Sequence, residues 1–146
     1  MTKESSVNLR ELLEKEVNVH LSGDLYKFDG LYVEDYIDHS LGTRGLKDYK
    51  EAYVAIKKAF PDITVTIEDT VVEGDKIAAR YTLRGTHRGE FMGIQPTGKT
   101  FEMSEIAIVR TEGGRLAESW AIPDFISLLQ QLGMEVTRAS EVSTSL

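Results

Sequence analysis

Asp124 follows directly after Pro123 and lies four residues beyond Trp120, which is the single tryptophan of the chain. We expect a strand through Trp120 to end at Pro123, and the largely apolar residues 125–132 to form a short helix. A carboxylate among apolar side chains can take a proton from carbon and return it to oxygen, which is acid/base chemistry. An aspartate directly before a helix is also among the best N-caps. The residue types therefore leave two interpretations of Asp124 open, a catalytic acid/base or a helix cap.

His87 is the second candidate for chemistry. Tyr81 and Leu83 alternate with polar neighbours, and His87 continues their parity, so we expect it on the inward side of the same hairpin. There it would polarise a carbonyl group or orient Asp124. The alternative is a half-solvated histidine at the mouth of the hairpin.

Glu105 is a second carboxylate candidate, on a strand that also carries Glu102. A strict period of two cannot bury both Met103 and Ile106, so we expect a bulge or a switch of parity in this strand. One glutamate would then point inward and become an acid/base candidate, and we rank Glu105 above Glu102.

Several further side chains are candidates for contact with a ligand. Trp120 is expected to form a wall of the site or, equally, part of the core. His39 follows Asp38, and this pair has either a structural role or contact with a ligand. Phe91 and Met92 lie in a glycine-rich loop that either covers the mouth of a pocket or forms an oligomer contact. The predicted ligand-contacting residues are Trp120, His39, Tyr36, Tyr53, Phe91, Met92 and Glu105.

Composition limits the classes of function. The 146 residues carry a net charge of −7 and no cysteine, and we expect one domain over residues 1–146 with a core of about residues 7–133 and a polar C-terminal tail. The acidic balance argues against nucleic-acid binding. No apolar run is long enough for a membrane span or a signal peptide, so a cytoplasmic protein is expected. The spacing of the three histidines gives no signal of a metal site, which would require His39, His87 and a carboxylate to converge.

The first part of the chain has the spacing of helices. A first helix is predicted from an apolar stripe at spacings of three and four, with Ser5 or Ser6 as its cap and His20 as a polar residue near its end. The residues of this stripe are Leu9, Leu12, Leu13 and Val17. Further helices are predicted over residues 25–32 and 46–60.

From residue 63 the apolar period changes to two. Alternating segments at 63–67, 77–85, 100–110 and 116–122 predict strands joined by glycine-bearing turns. Helices followed by strands indicate the α+β class. We expect a cone-shaped α+β barrel in which the N-terminal helices pack on a strongly curved antiparallel sheet. Such a cone favours a buried site for a small molecule.

Five segments, in order, closely resemble the SnoaL-like polyketide cyclases. They span residues 36–39, 59–62, 85–99, 118–120 and 129–133. The resemblance extends over about residues 9–133. It implies the nuclear-transport-factor-like cone fold that ketosteroid isomerase and scytalone dehydratase share. It also implies a homodimer or homotetramer, often formed by sheet-to-sheet contacts.

The same resemblance implies an activity. Family cyclases close a ring in an aromatic polyketide ester by intramolecular aldol condensation without a cofactor, and an aspartate near the end of the last strand is the acid/base. The nearest position here is Asp124. Many relatives have a histidine before the tryptophan and an aspartate after it, whereas this chain has Ser119 and Ala121.

Two functions follow as hypotheses. The first is acid/base catalysis without a cofactor on a small hydrophobic carbonyl compound, of the cyclase type or as a related isomerase, dehydratase or hydrolase. Asp124 and His87 would be its catalytic residues. The alternative, which Ser119 and Ala121 favour, is a non-catalytic module of the same fold that binds a small molecule or mediates assembly.

Overall fold

The computed structural model describes residues 8–139, which form four α-helices, one 3₁₀ turn and six strands. The helices are α1 (Leu9–Ser22), α2 (Phe28–Leu31), α3 (Leu46–Ala59) and α4 (Phe125–Gln131), with the 3₁₀ turn at Leu25–Lys27. The strands are β1 (Tyr32–Asp38), β2 (Thr43–Arg44), β3 (Thr64–Glu73), β4 (Lys76–Thr86), β5 (Thr100–Glu112) and β6 (Arg115–Pro123). The α+β class is confirmed.

Helix α1 begins at the cap Asn8, whose side chain accepts a hydrogen bond from the backbone N–H of Glu11. The predicted caps Ser5 and Ser6 lie outside the described residues. The helix ends at Gly23, which adopts the left-handed conformation at φ 70°. Its predicted apolar stripe is buried at Leu9, Leu12 and Leu13.

The six strands form one sheet in the order β2–β1–β6–β5–β4–β3. The sheet is curled rather than closed, and the helices pack on its concave face. It is mixed rather than wholly antiparallel, because β1 runs parallel to β6 while the other pairs are antiparallel. This parallel pairing brings the end of β1 beside the inward residues of β6, which matters for the site.

Strand β5 alternates strictly, so the bulge or parity switch expected near Met103 is wrong. Its pairing with β4 is continuous over its whole predicted length, and Met103 and Glu105 point inward while Ile106 is exposed. The sequence reasoning failed because it assumed that every large apolar residue faces the core. An exposed isoleucine satisfies the period of two without any irregularity.

The buried apolar residues form two clusters. The larger one fills the space between the helices and the sheet, and the smaller one lies around Phe60, Phe101 and Leu128 near α4. Within residues 8–139, no helix has the length and apolarity that crossing a membrane requires.

Candidate functional site

A cavity of about 190 Å³ lies between the helices and the concave face of the sheet. The helices contribute one wall, with Glu16, Val17, His20 and Leu21 from α1 and Tyr49, Tyr53 and Ile56 from α3. The sheet contributes the other, with Tyr36 and Asp38 from β1, Tyr81 and Leu83 from β4, Glu105, Ala107 and Val109 from β5, and Ser119 and Ala121 from β6. Apolar and aromatic side chains surround three carboxyl groups. This is the composition expected of a small-molecule site.

Glu105 projects into this cavity from the middle of β5, as its ranking above Glu102 predicted. Burial, together with a smaller contribution from the nearby Asp38 charge, raises the pKa of Glu105 from 4.5 to about 7. No hydrogen bond from the described residues stabilises its charged form. A carboxyl group with this pKa can both accept and donate a proton at neutral pH.

Asp38 stands at the end of β1, opposite Ser119 of β6 in the parallel register. Its Oδ1 accepts hydrogen bonds from the Ser40 hydroxyl at 2.7 Å and from the Leu41 backbone N–H at 2.9 Å. The side chain is almost fully buried, with 7% exposed. The turn that follows β1 therefore fixes this carboxylate at the cavity wall.

Glu16 enters the cavity from the helical side and belongs to a hydrogen-bonded chain. Tyr32 donates to Glu16 Oε1 at 2.8 Å, and His20 Nε2 lies 2.8 Å from the Tyr32 hydroxyl. Burial raises the pKa of Glu16 from 4.5 to about 7; the Tyr32 hydrogen bond opposes this shift, while the charges of Asp38 and Glu105 add to it. Burial lowers the pKa of His20 to about 4, so this imidazole is neutral at pH 7.

Tyrosine rings form much of the remaining lining. Tyr36 and Tyr53, both named from the sequence, line the cavity, as do Tyr49 and Tyr81. Burial raises the pKa of Tyr81, and its hydroxyl has no hydrogen-bond partner among residues 8–139. Tyr81 also faces Glu105 directly across the β4–β5 pair. A protonated phenol beside a carboxyl group is therefore available to a ligand.

Asp124 lies outside the cavity, so the expected placement of this carboxylate in an apolar pocket is corrected. Its side chain is exposed and accepts a hydrogen bond from the Ser127 backbone N–H at 3.2 Å, as the N-cap of α4. The cap interpretation is confirmed. The strand ends at Pro123 and α4 then packs on β5, which leaves Asp124 exposed between the two elements.

His87 is fully buried but does not line the cavity, and it does not orient Asp124. It lies just beyond the end of β4, where its ring packs against Phe60 with 5.7 Å between centroids. Its Nδ1 accepts from the Thr97 backbone N–H at 3.2 Å, so the proton resides on Nε2. Within the described residues that Nε2 has no partner. The hairpin continued the expected parity, but the strand ended one residue before His87.

Trp120 and His39 lie on the convex face of the sheet, which corrects their expected place in the pocket. Their rings stack at 5.1 Å with an angle of 8° between planes, and His39 Nε2 contacts Glu118 Oε2 at 2.7 Å. Trp120 belongs to an outer patch of exposed apolar residues on neighbouring strands. The outer patch consists of Ile106, Ile108, Trp120 and Ile122.

Phe91 and Met92 also lie away from the cavity. Phe91 is half-buried and packs against Phe60 and Phe125 in the smaller apolar cluster. Met92 is exposed at the tip of the loop and has a positive φ of 50°. The expected lid over the pocket is therefore corrected, because neither side chain is part of the cavity wall.

A sequence model described as SnoaL-like polyketide cyclase matches residues 11–132. The chain belongs to this family. Among curated relatives of the SnoaL-like chain is the aklanonic acid methyl ester cyclase DnrD of Streptomyces peucetius, 27% identical over 66% of this chain and 68% of that protein. The nogalonic acid methyl ester cyclase of Streptomyces nogalater is 26% identical over 66% of this chain and 72% of that protein.

Solved structures show the same fold. TsrD from Streptomyces laurentii matches with a TM-score of 0.79 and 30% identity, over 86% of this chain and 94% of that one. IdmH from Streptomyces antibioticus matches with a TM-score of 0.76 and 32% identity, over 87% of this chain and 99% of that one. The curled sheet and its helical layer are thus the SnoaL-like architecture.

Three titratable residues of this SnoaL-like cavity were not among the predicted site residues: Glu16, His20 and Asp38. Each had a signal. Glu16 and His20 follow Leu12 at successive spacings of four, so both lie on the apolar face of α1. Asp38 shares the parity of the buried Tyr36. Polar residues on an apolar face are candidate site residues, because burying a polar or charged side chain costs free energy and often marks a functional site.

Proposed function

We propose that the cavity performs acid/base chemistry without a cofactor on a small hydrophobic carbonyl compound, with Glu105 as the proton-transferring residue. The observation that supports this most directly is the placement of Glu105. Its carboxyl group faces the cavity, has a pKa near 7 and is not held by hydrogen bonds from the described residues. An acid/base that must act in both directions needs this combination of access and pKa.

The position of Glu105 offsets the departure at Ala121. The family resemblance implies an aspartate at that position in many relatives, whereas here Ala121 lines the cavity. Ala121 pairs with Ala107, so Glu105 is its diagonal neighbour on β5, and the Asp38–Ser119 pair places Asp38 diagonally on β1. Diagonal neighbours have Cα atoms about 7–8 Å apart, within reach of a long side chain. Glu105 and Asp38 thus each provide a carboxyl group close to position 121, where this chain has alanine instead of aspartate.

The proposed reaction is an intramolecular aldol closure. Ionised Glu105 takes a proton from the carbon next to a carbonyl group, and the Tyr81 hydroxyl donates a hydrogen bond to the enolate oxygen that forms. The enolate carbon then forms a bond to a second carbonyl carbon of the same molecule. Protonated Glu105 returns its proton to the new alkoxide, so that no atom is gained or lost.

The relatives support this reaction type. Two of them are named as cyclases of aklanonic acid methyl ester and nogalonic acid methyl ester. Membership of one family does not fix the substrate, because one site architecture can serve several chemistries. We therefore propose the carbanion step and the small carbonyl substrate, and test them separately from any one ester.

The test measures proton abstraction with benzylacetone as a probe ketone. The protein is incubated with it in deuterated buffer, and loss of the proton signals next to the carbonyl is followed by NMR. We expect exchange above the buffer rate with the wild-type chain and a loss of about 10²–10⁴-fold in Glu105→Gln. Cyclisation of aklanonic acid methyl ester and nogalonic acid methyl ester is assayed in parallel by chromatography and mass spectrometry.

Two matched variants separate the possible assignments. Glu102→Gln changes an exposed glutamate on the same strand that pairs with Arg84, and it should leave exchange unchanged. Asp124→Asn keeps the N-cap and should also retain exchange, whereas Asp124→Ala should cost about 1 kcal/mol of stability. Full exchange in Glu105→Gln, or its loss in Asp124→Asn, would contradict the assignment to Glu105.

The second candidate is ligand binding without turnover, which the alanine at position 121 favours. Wild-type protein that binds the probe ketone but catalyses neither exchange nor cyclisation would favour this function. Ligand binding is detected independently by chemical-shift changes of the protein.

A further inference from the structure

We propose that the natural ligand of this cavity carries a cationic amine, and that the three inward carboxyl groups recognise it. This inference rests on the proposed function of the same cavity and adds the substrate class. The three groups are Glu16 from α1, Asp38 from β1 and Glu105 from β5, and they converge from both walls.

Among residues 8–139, the cavity wall contains no compensating positive charge. Neither lysine nor arginine lines it, as far as residues 8–139 are concerned. His20 is neutral at pH 7, and Lys57 of α3 acts on His20 from outside the lining. The other titratable groups facing the carboxyls are the phenols of Tyr32, Tyr36, Tyr49, Tyr53 and Tyr81. An anionic ligand would oppose ionisation of these carboxyl groups and find no cation to pair with among the described lining residues, whereas an ammonium group would favour their ionised forms.

The aromatic lining fits the same ligand. Four of the tyrosine rings border the cavity, and the face of an aromatic ring attracts a cation. The volume sets the size of the ligand: a cavity of about 150 Å³ holds a benzene molecule, and this one encloses about 190 Å³. The expected ligand is therefore a carbonyl compound that carries an amine and is built on about one substituted ring.

Two polar groups of the site lack the hydrogen-bond partners that a cationic ligand would provide. The Glu105 carboxyl and the Tyr81 hydroxyl face one another across β4 and β5, and neither has a partner among the described residues. An ammonium group has three donors and would satisfy the carboxylate. Its arrival would also favour ionisation of Glu105 and Glu16, so that binding near pH 7 releases protons.

The experiment compares three probes of nearly equal size by calorimetry: phenethylamine, phenylethanol and phenylacetate. We expect phenethylamine to bind at least about tenfold more tightly than the other two, since a charge-assisted hydrogen bond is added. Glu105→Gln and Glu16→Gln should each reduce this preference, and Glu102→Gln should keep it. Repeating the wild-type titration in buffers of different ionisation enthalpy should show proton release at pH 7.

The wild-type measurement keeps the test decisive even if a variant does not fold. Equal or tighter binding of phenylacetate, binding of none of the probes at millimolar concentration, or amine binding without proton release would each overturn the proposal. A preference that survives in folded Glu105→Gln and Glu16→Gln would overturn it as well. If the protein catalyses exchange of benzylacetone but shows no preference for the amine, only the proposed function is supported. If it prefers the amine but catalyses no exchange, only the amine site is supported.

Discussion

Glu16 is the residue whose burial has the clearest energetic consequence. Its pKa rises from 4.5 to about 7 in the folded protein, chiefly because burial disfavours the carboxylate. A raised folded-state pKa means that the native chain binds the proton more tightly than the unfolded chain. The associated stability is fully present below about pH 4.5 and is lost as the pH rises through about 7.

Glu16→Gln should therefore stabilise the protein at pH 8, by about 1–3 kcal/mol, and change its stability little at pH 4.5. A glutamine still accepts the hydrogen bond from Tyr32. The opposite contribution of His20, whose lowered pKa destabilises the fold on acidification, is present in both proteins and cancels from the comparison. Urea unfolding at the two pH values measures the difference.

Glu14→Gln is the matched control for this prediction, since Glu14 is exposed on the same helix and pairs with Arg10. It should show no such dependence on pH. A Glu16→Gln variant that is less stable than wild type at pH 8 would mean that the native state gains from the charged form.

At the residue scale, the ranking of Glu105 above Glu102 agrees with the structure although the bulge behind it is absent. Glu105 points inward because it shares the parity of the buried Met103 in a regular strand. Asp124 was ambiguous, because a cap and a catalytic carboxylate require the same residue type at the same place. Only the path of the chain after Pro123 distinguishes them, and that path depends on how α4 packs on β5.

At the scale of elements, the segment after β4 docks against the C-terminal end of α3. The backbone N–H groups of Arg88 and Gly89 both donate to the Ala59 carbonyl oxygen, at 2.9 and 3.1 Å. The last carbonyls of a helix lack partners within the helix. The two N–H groups of this segment serve as partners for one such carbonyl, that of Ala59, and Gly89 allows the two backbones to approach closely.

Gly89→Ala should destabilise the protein by about 1–3 kcal/mol, because its added methyl group would collide with the Lys58 carbonyl oxygen. Denaturant unfolding measures this cost. Gly30→Ala in α2 is the control, since a methyl group there meets no atom within 4 Å. Equal stability of Gly89→Ala and wild type would show that the segment moves aside freely.

The strand pattern explains which elements were predictable. The helices and the alternation of the long strands followed from apolar spacing. Their boundaries agree to within about two residues, except that β3 continues to Glu73 where the pattern predicted an end at residue 67. The apolar spacing did not predict which face of β5 and β6 points toward the cavity, because both faces of each strand carry large apolar residues. Trp120 was therefore assigned to the pocket, although its neighbours Ser119 and Ala121 are the inward residues.

At the scale of the whole molecule, the outer patch is the main unexplained surface. Ile106 pairs with Ile122, and Ile108 pairs with Trp120, so that the four side chains form a compact block. Ile122 is 78% exposed. Ion pairs of Arg80 with Asp69, Arg84 with Glu102, and Arg110 with Glu118 lie on the same strands or their neighbours. An exposed apolar block with a charged surround favours association with a second copy.

We predict that the protein is a homodimer through the outer patch, and that Ile106→Lys makes it monomeric, since a lysine would be buried against a second apolar surface. Analytical ultracentrifugation at micromolar concentration measures the change. Tyr26→Lys replaces an exposed aromatic residue on the helical side and should leave the mass unchanged. A monomeric wild-type chain, or a dimeric Ile106→Lys variant, would argue against this interface.

Because β5 alternates strictly, successive side chains serve two different properties of the molecule: the carboxyl group of the cavity on one face and the outer patch on the other. Glu105 and Ile106 are adjacent in the chain yet serve opposite faces of the sheet. Point substitutions can alter either property independently. Loss or gain of a single codon in this strand would exchange them, bringing isoleucine inside and the carboxylate outside. A substitution in β5 therefore changes one face at a time, whereas a change in its length changes both faces together.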